Sequence, residues 1–127
     1  PVRVYYEDTD AGGIVYYANY LKFMERARTE WLRNYGVDLR QLAAEERIMF
    51  VVRSANLDFL QPAHLGDALD VSVEVLRRRP ASVTLRQQVT SSGEVLCTGK
   101  IQLACVESLS MRPCPLPPFT QEGESAQ

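Results

Sequence analysis

The spacing of apolar residues changes once along the chain, from a period near 3.6 to a period of two. The change divides a helical part from a sheet-forming part. Over roughly residues 18–35 the apolar positions are Tyr17, Tyr20, Leu21, Met24, Ala27, Trp31, Leu32 and Tyr35. Steps of three and four place them on one stripe of a helix. Glu25 with Arg28, and Glu30 with Arg33, stand i,i+3 with opposite signs, as on a solvated helix face. Gly36 is placed to end the helix in a left-handed conformation. A shorter helical stretch is predicted over 38–46, with Asp38 as its cap.

Beyond residue 50 the alternation is that of strands. Val51, Ala55, Leu57 and Phe59 alternate with Val52, Ser54, Asn56 and Asp58. Leu69, Val71, Val73 and Val75 alternate with Asp70, Ser72 and Glu74. Val83, Leu85 and Val89 mark a further strand, and Val95, Cys97, Ile101, Leu103 and Cys105 the last. Turn chemistry separates them: Pro and Gly within 61–67, then Pro80-Ala81, then Ser91-Ser92-Gly93. That is hairpin spacing and implies a largely antiparallel meander. A β-rich run at 2–7 supplies a fifth strand.

A half-apolar sheet must be covered, and the long amphipathic helix is the only element large enough to do it. The expected architecture is α+β, a five-stranded antiparallel sheet wrapped around one long helix, over residues 1–118. Pro113, Pro115, Pro117 and Pro118 then lead into a polar tail, 119–127, expected to be extended and then disordered. There is no internal repeat and no sign of a second domain.

Composition narrows the function classes. A chain of 127 residues is about one domain and can bury a core without staples. A formal net charge of -2 lacks the basic surplus of a general nucleic-acid binder. No apolar run approaches the roughly 18 residues of a membrane span, and no stretch reads as a signal peptide. A cytoplasmic location is expected. Cys97, Cys105 and Cys114 are an odd number, which argues against a closed disulfide framework. Cys97 and Cys105 fall eight residues apart on one strand, about 26 Å, too far to bridge. Buried reduced thiols are the expectation. With no CxxC and one histidine, neither a zinc site nor any other metal or redox cofactor is expected.

The densest chemistry lies where the first strand meets the long helix, in Glu7-Asp8-Thr9-Asp10-Ala11-Gly12-Gly13-Ile14-Val15-Tyr16-Tyr17-Ala18-Asn19-Tyr20. A helix N-terminus offers free backbone N–H groups and the positive end of a dipole. Set beside an acyl carbonyl, it can stabilise an oxyanion. A carboxylate held there can attack the carbonyl or activate a water. Asp and Gly ahead of a helix are equally the ordinary residues of a turn and cap.

The same segment resembles the signature of the 4-hydroxybenzoyl-CoA thioesterase family. That signature runs Thr or Cys, Asp, two residues, Gly, Ile or Val, Val, one residue, an aromatic or His, two residues, and Phe or Tyr. Here it reads from Thr9 and Asp10 through Gly13, Ile14, Val15 and Tyr17 to Tyr20. Glu25-Arg26-Ala27-Arg28-Thr29-Glu30 and Met111-Arg112-Pro113 are similar to the Tol–Pal-associated acyl-CoA thioesterase branch. The likeness spans the chain from Val2 to about Pro118. It implies a hot-dog fold and hydrolysis of an acyl-CoA, with Asp10 as the catalytic carboxylate and the Tyr17 backbone N–H polarising the thioester carbonyl. Asp8 and Glu7 inherit no catalytic role. Tyr17 departs from the Tol–Pal-associated branch, where the position is typically His, so a general-acid role for an imidazole there does not carry over, whereas the backbone N–H does.

The resemblance also implies that the basic cluster Arg77, Arg78 and Arg79 contacts the coenzyme A nucleotide. Arginines at a strand end are otherwise a solvated edge that discourages aggregation. Subunits of the family pair edge to edge with sites between them, so a homo-oligomer is expected, a dimer at least and a tetramer in full. An acyl carrier protein is a further possible source of thioester. His64, in a turn, is read as a surface residue, and no nucleophile-elbow motif accompanies it. Two rivals remain: a non-catalytic hot-dog protein that binds or scaffolds acyl groups with acyl carrier protein, and a hydratase on the same fold. The hydratase lacks a suitably placed His.

Overall fold

The computed structural model describes residues 1–10, 13–15, 17–117 and 125–126. Among them, β1 (Val2–Arg3) leads through a 3-10 turn, Tyr6–Asp8, to helix α1 (Asn19–Asn34). A short α2 (Leu39–Gln41) runs on into a wider helical turn, Leu42–Glu46. Then come β2 (Ile48–Phe59), β3 (Ala68–Val71), β4 (Val73–Arg78), β5 (Ser82–Ser91), β6 (Glu94–Glu107) and β7 (Ser125–Ala126).

All pairings are antiparallel. Strand β6 lies between β2 and β5, and β5 pairs with β3 and then β4. The two-residue β1 and β7 pair with the outer edges of β3 and β4. Seven strands stand where five were expected, for two reasons. The expected strand over 69–75 is interrupted at Ser72, whose hydroxyl accepts the Gln88 N–H at 3.1 Å. In the tail expected to be disordered, Ser125–Ala126 pairs with β4, and 118–124 and 127 lie outside the described residues.

Helix α1 ends as its sequence requires. Gly36 takes φ +81°, and the Gly36 and Val37 amides donate to the carbonyls of Arg33 and Leu32, each at 3.0 Å. These are the two bonds of a Schellman stop. Asp38 caps α2, accepting the N–H groups of Arg40 and Gln41 at 2.9 and 3.3 Å.

The buried face of α1 differs from the apolar stripe in the sequence. Tyr20, Phe23, Met24, Arg28, Trp31 and Leu32 are buried, whereas Tyr17, Leu21 and Tyr35 are exposed. Glu30 and Arg33 form the expected ion pair at 2.7 Å. Arg28 instead turns inward. Its Nη1 donates to Oε1 of Gln87 at 2.9 Å, and Gln87 Nε2 donates to the Met24 carbonyl at 3.0 Å. Gln87 is wholly buried, so β5 offers the helix one polar anchor inside an apolar core. Burial lowers the pKa of the Arg28 guanidinium, with Glu25 acting in the opposite sense. Gly99 on β6 lets the helix lie close: a Cβ there would stand 3.2 Å from both the sulfur and the terminal carbon of Met24.

Strand β2 is left partly uncovered. Its inward positions follow the register with β6: Phe50 opposite Cys105, Val52 opposite Leu103, Ala55 opposite Ile101, Leu57 opposite Gly99 and Phe59 opposite Cys97. An irregularity between Val52 and Ser54 shifts the phase, so Val52 faces inward where the alternation assigned Val51. Val52 and Phe59 remain 52% and 51% exposed, because α1 lies over β3, β4 and β5 rather than over β2.

The Arg28–Gln87 contact carries a stability prediction. Gln87→Leu leaves a buried guanidinium without its acceptor, which costs about 3 kcal/mol. Urea denaturation of the variant beside wild type reads this directly. A change near zero would mean that the helix does not depend on this contact.

Candidate active site

Three segments build the site around the start of α1. The first is the turn at Asp8, Thr9 and Asp10. Asp8 is buried, its Oδ2 accepts the Tyr5 N–H at 3.0 Å, and its carbonyl accepts Asn19 Nδ2 at 2.9 Å. Asp8 thus ties the turn to the first residue of the helix. Thr9 donates its hydroxyl to the Tyr6 carbonyl at 2.8 Å.

Asp10 follows on the surface. Its N–H donates to the Ile14 carbonyl at 2.9 Å, its carbonyl accepts the Gly13 N–H at 3.0 Å, and Oδ1 lies 3.5 Å from the Ile14 N–H. Thr9 pairs with Val15 across this narrow loop. Gly13 has φ +78°, a conformation that a side chain disfavours. Ala11, Gly12 and Tyr16 of the signature lie outside the described residues.

The second segment is the loop from Ala63 to Asp67. Val15 N–H donates to the Ala63 carbonyl at 2.8 Å, Leu65 N–H to Gly13 at 3.1 Å, and Ile14 pairs with His64. Asp67 closes this loop by accepting the His64 N–H at 2.8 Å. The loop in turn meets β1, where Val4 N–H reaches the Asp67 carbonyl at 2.9 Å. The third segment is the helix start. Ala18 occupies the N-cap position in a helical conformation without a side-chain cap, and Tyr17 precedes it, 61% exposed.

One side chain joins the loop to the helix. Tyr20 is buried, and its hydroxyl oxygen accepts the N–H of the fully buried Ala63 at 3.2 Å. Burial raises the Tyr20 hydroxyl above its ordinary pKa, and the Ala63 bond works against the rise. Phe59, at the end of β2, lies 5.5 Å from the Tyr20 ring and 6.0 Å, edge to face, from the Tyr17 ring. Neither Phe59 nor the Tyr20–Ala63 bond was identified from sequence. The final aromatic of the signature was the available sign for Tyr20, whereas nothing local marks Phe59.

The structure therefore brings Asp10 and Tyr17 to one end of the fold. It does not bring Arg77, Arg78 and Arg79 there. Those residues lie at the far end of β4, about 33 Å along the sheet from the start of β3 beside the Asp10 loop. Arg77 and Arg79 are exposed, and Arg78 Nη2 donates to the Pro117 carbonyl at 3.3 Å. His64 is exposed, as expected, with Nδ1 3.9 Å from Asp67, yet its backbone forms part of the wall behind Asp10. Among the described residues no three His, Cys, Asp or Glu side chains gather as a metal-binding group. No helix among them is long and apolar enough to cross a membrane.

Comparison with known proteins places the chain in a family and matches its fold. The Thioesterase-like superfamily matches residues 4–123 of the chain. The acyl-CoA thioester hydrolase YbgC of Escherichia coli O6:H1 is 43% identical over 118 residues, covering 92% of this chain and 87% of that protein. The acyl-CoA thioesterase YbgC of Haemophilus influenzae is 42% identical over 117 residues, covering 92% and 86%. The crystal structure of a probable thioesterase from Bartonella henselae superposes with a TM-score of 0.87 at 34% identity, covering 91% of this chain and 95% of that one.

Tyr20→Phe tests the joint between loop and helix. It removes the acceptor of a buried backbone N–H, which costs about 1–3 kcal/mol. The denaturation midpoint should fall, and the Ala63 amide should exchange faster with solvent. An unchanged Ala63 exchange rate would remove Tyr20 from this role.

Proposed function

The chain belongs to the Thioesterase-like superfamily, and on that premise we propose that it hydrolyses an acyl-CoA thioester to the free acid and coenzyme A, with Asp10 as the catalytic carboxylate. Thioester hydrolysis rests on relatives that match almost end to end. The observation that supports Asp10 is its position: a surface carboxylate on a loop clamped by Val15, Ala63 and Asp8 beside the uncapped start of α1.

The chemistry proceeds from those parts. The thioester carbonyl lies against the helix start, where the Tyr17 N–H and the helix dipole stabilise the developing oxyanion. Asp10 acts in one of two ways. As nucleophile, it bonds to the carbonyl carbon and expels coenzyme A as thiolate, and water then cleaves the mixed anhydride. As general base, it takes a proton from a water that attacks the same carbon. A single turnover in heavy-oxygen water separates the two: label in the Asp10 carboxylate identifies the nucleophile, and its absence excludes that route. Neither route draws on a metal or redox cofactor.

The substrate assignment follows the Tol–Pal-associated branch in the helix and tail motifs. Tyr17 in place of His removes an imidazole from the site and leaves both short aliphatic and aromatic acyl groups open. Arg77, Arg78 and Arg79 supply a phosphate clamp in this reading, since guanidinium groups pair well with phosphate oxygens. A site at one end of the fold and a clamp at the other are compatible if the clamp serves a second copy. The outer edge of β2, unpaired among the described residues, and its exposed Val52 and Phe59 are the surface for an edge-to-edge dimer, and pairs of dimers make the tetramer. A carrier-protein thioester would enter by the same end. The rival, an acyl-binding scaffold without turnover, leaves the carboxylate at Asp10 unexplained.

Two measurements test this reading. Over a panel of acyl-CoAs from short aliphatic to 4-hydroxybenzoyl, Asp10→Asn should lower kcat by about 100-fold or more. Wild type inert on every thioester would overturn the enzyme reading in favour of the scaffold. Sedimentation at micromolar concentration should show no monomer; a purely monomeric protein would remove the shared site.

A further inference from the structure

After β6 the chain turns at 108–111 and comes back alongside its own strand. Val106 pairs with Pro113, the Cys114 N–H donates to the Cys105 carbonyl at 3.0 Å, and the Glu107 N–H donates to the Arg112 carbonyl at 2.9 Å. This register sets the side chains of Cys105 and Cys114 across from each other, with their sulfurs 3.4 Å apart. A disulfide needs about 2.05 Å, so the sulfurs must approach by only about 1.4 Å, a movement within the reach of side-chain torsions.

We infer that Cys105 and Cys114 form an oxidisable pair: hydrogen peroxide closes them into a disulfide that fastens the returning segment, 112–117, to β6, and a reducing thiol reopens it. The two cysteines divide the work by position. Cys105 is fully buried and faces the core, whereas Cys114 is half-buried and meets solvent. Burial pushes the Cys105 thiol up to about 12, so it is a poor first target for an oxidant.

Cys114 therefore reacts first. Its sulfur takes one oxygen from peroxide to give a sulfenic acid, and one water leaves. The Cys105 sulfur then attacks the Cys114 sulfur; the S–S bond forms, and the hydroxyl departs with the Cys105 proton as a second water. Two thiols lose two electrons and one peroxide gains them. Cys97 lies eight residues up the same strand, about 26 Å from Cys105, and takes no part.

Beyond its pairing with β6, the returning segment is held at two further points. Leu116 is buried and its N–H donates to the Pro80 carbonyl at 2.9 Å, and Pro117 accepts from Arg78. Pro117 shares a cleft with Tyr35, Gly36 and Val37 at the C-terminal end of α1. The segment thus ends beside the C-terminus of α1, about 24 Å along the 16-residue helix from its start. The inference is independent of the thioesterase reading.

The test treats the full chain with a small excess of hydrogen peroxide, then denatures it with an alkylating maleimide and weighs it. Closure leaves one alkylated thiol instead of three, in a single chain. The digest yields a peptide linking Cys105 to Cys114, and dithiothreitol restores all three thiols. Cys114→Ser should keep two alkylatable thiols after peroxide, and the Leu116 amide should exchange at least tenfold more slowly in oxidised wild type than in reduced. Three alkylatable thiols after peroxide would overturn the inference. So would Cys114 stopping at a sulfinic acid with Cys105 free, or a disulfide between two chains. The wild-type digest decides the matter even if the variant fails to fold.

Discussion

One helix is too narrow for the sheet it has to cover, and most of the architecture follows from that mismatch. A helix with its side chains is about 10 Å across, whereas four or five strands about 4.8 Å apart span roughly twice that width. Curling the sheet reduces the deficit, and Gly99 reduces it further by letting Met24 settle onto β6. Close approach at that point fixes the depth of α1 but does not widen it. The helix covers β3, β4 and β5, and the inner face of β2 stays partly open, with Val52 and Phe59 half-exposed. A strand of 12 residues with one edge free among the described residues, and with an apolar face, is a surface that proteins ordinarily protect or pair. Pairing with a second copy would meet the geometric and the hydrophobic demand together.

Apolar packing alone would let such a helix slide along the sheet, since valine and leucine side chains specify register poorly. Two polar contacts prevent it. Near the middle of α1, Arg28 reaches Gln87, and Gln87 reaches back to the Met24 carbonyl. Near its start, Tyr20 accepts the Ala63 N–H. Each buries polar groups that lose much of their partnership if the helix shifts by a residue, and a buried charge makes the first contact the more stringent. The second bears directly on the site. The loop held by Tyr20 also receives Val15 and Ile14, so the position of the Asp10 turn relative to the helix start is set by the contact that sets the helix on the sheet.

The sequence made the elements legible where local physics decides them. The 3.6-residue period, the Gly36 stop and the Asp38 cap all depend on neighbours within a turn, and each appears in the structure where it was expected. It was less informative where distant residues decide. Arg28 reads locally as the partner of Glu25, and only the presence of Gln87 on β5 turns it inward. Val51 and Val52 are indistinguishable by composition, and an irregularity in the pairing with β6 chooses between them. Tyr17, Leu21 and Tyr35 belong to the apolar stripe yet lie exposed, because the stripe is broader than the surface available to it. The Asp10 turn was legible because its chemistry is contiguous. Its walls, Ala63 and Phe59, come from 40 or more residues away and have no signature of their own.

The same distinction explains why the arginines were grouped with Asp10 from sequence although one chain holds them apart. Motifs in a family report what meets in the working assembly, whereas the fold of one chain reports only what meets within it. A two-fold axis beside β2 would set two α1 helices side by side in opposite directions. The helix start of one copy would then lie toward the helix end of the other, the end where β4 finishes at Arg78. Among the described residues the outer edge of β2 is unpaired and its inner face is apolar, which suits such an arrangement. Strand β4 lies on the edge of the sheet opposite β2, with β5 and β6 between them, so such an axis aligns the two ends without laying the arginines onto the carboxylate. The incomplete cover left by α1 is the physical reason that β2 keeps half-exposed apolar side chains on its inner face.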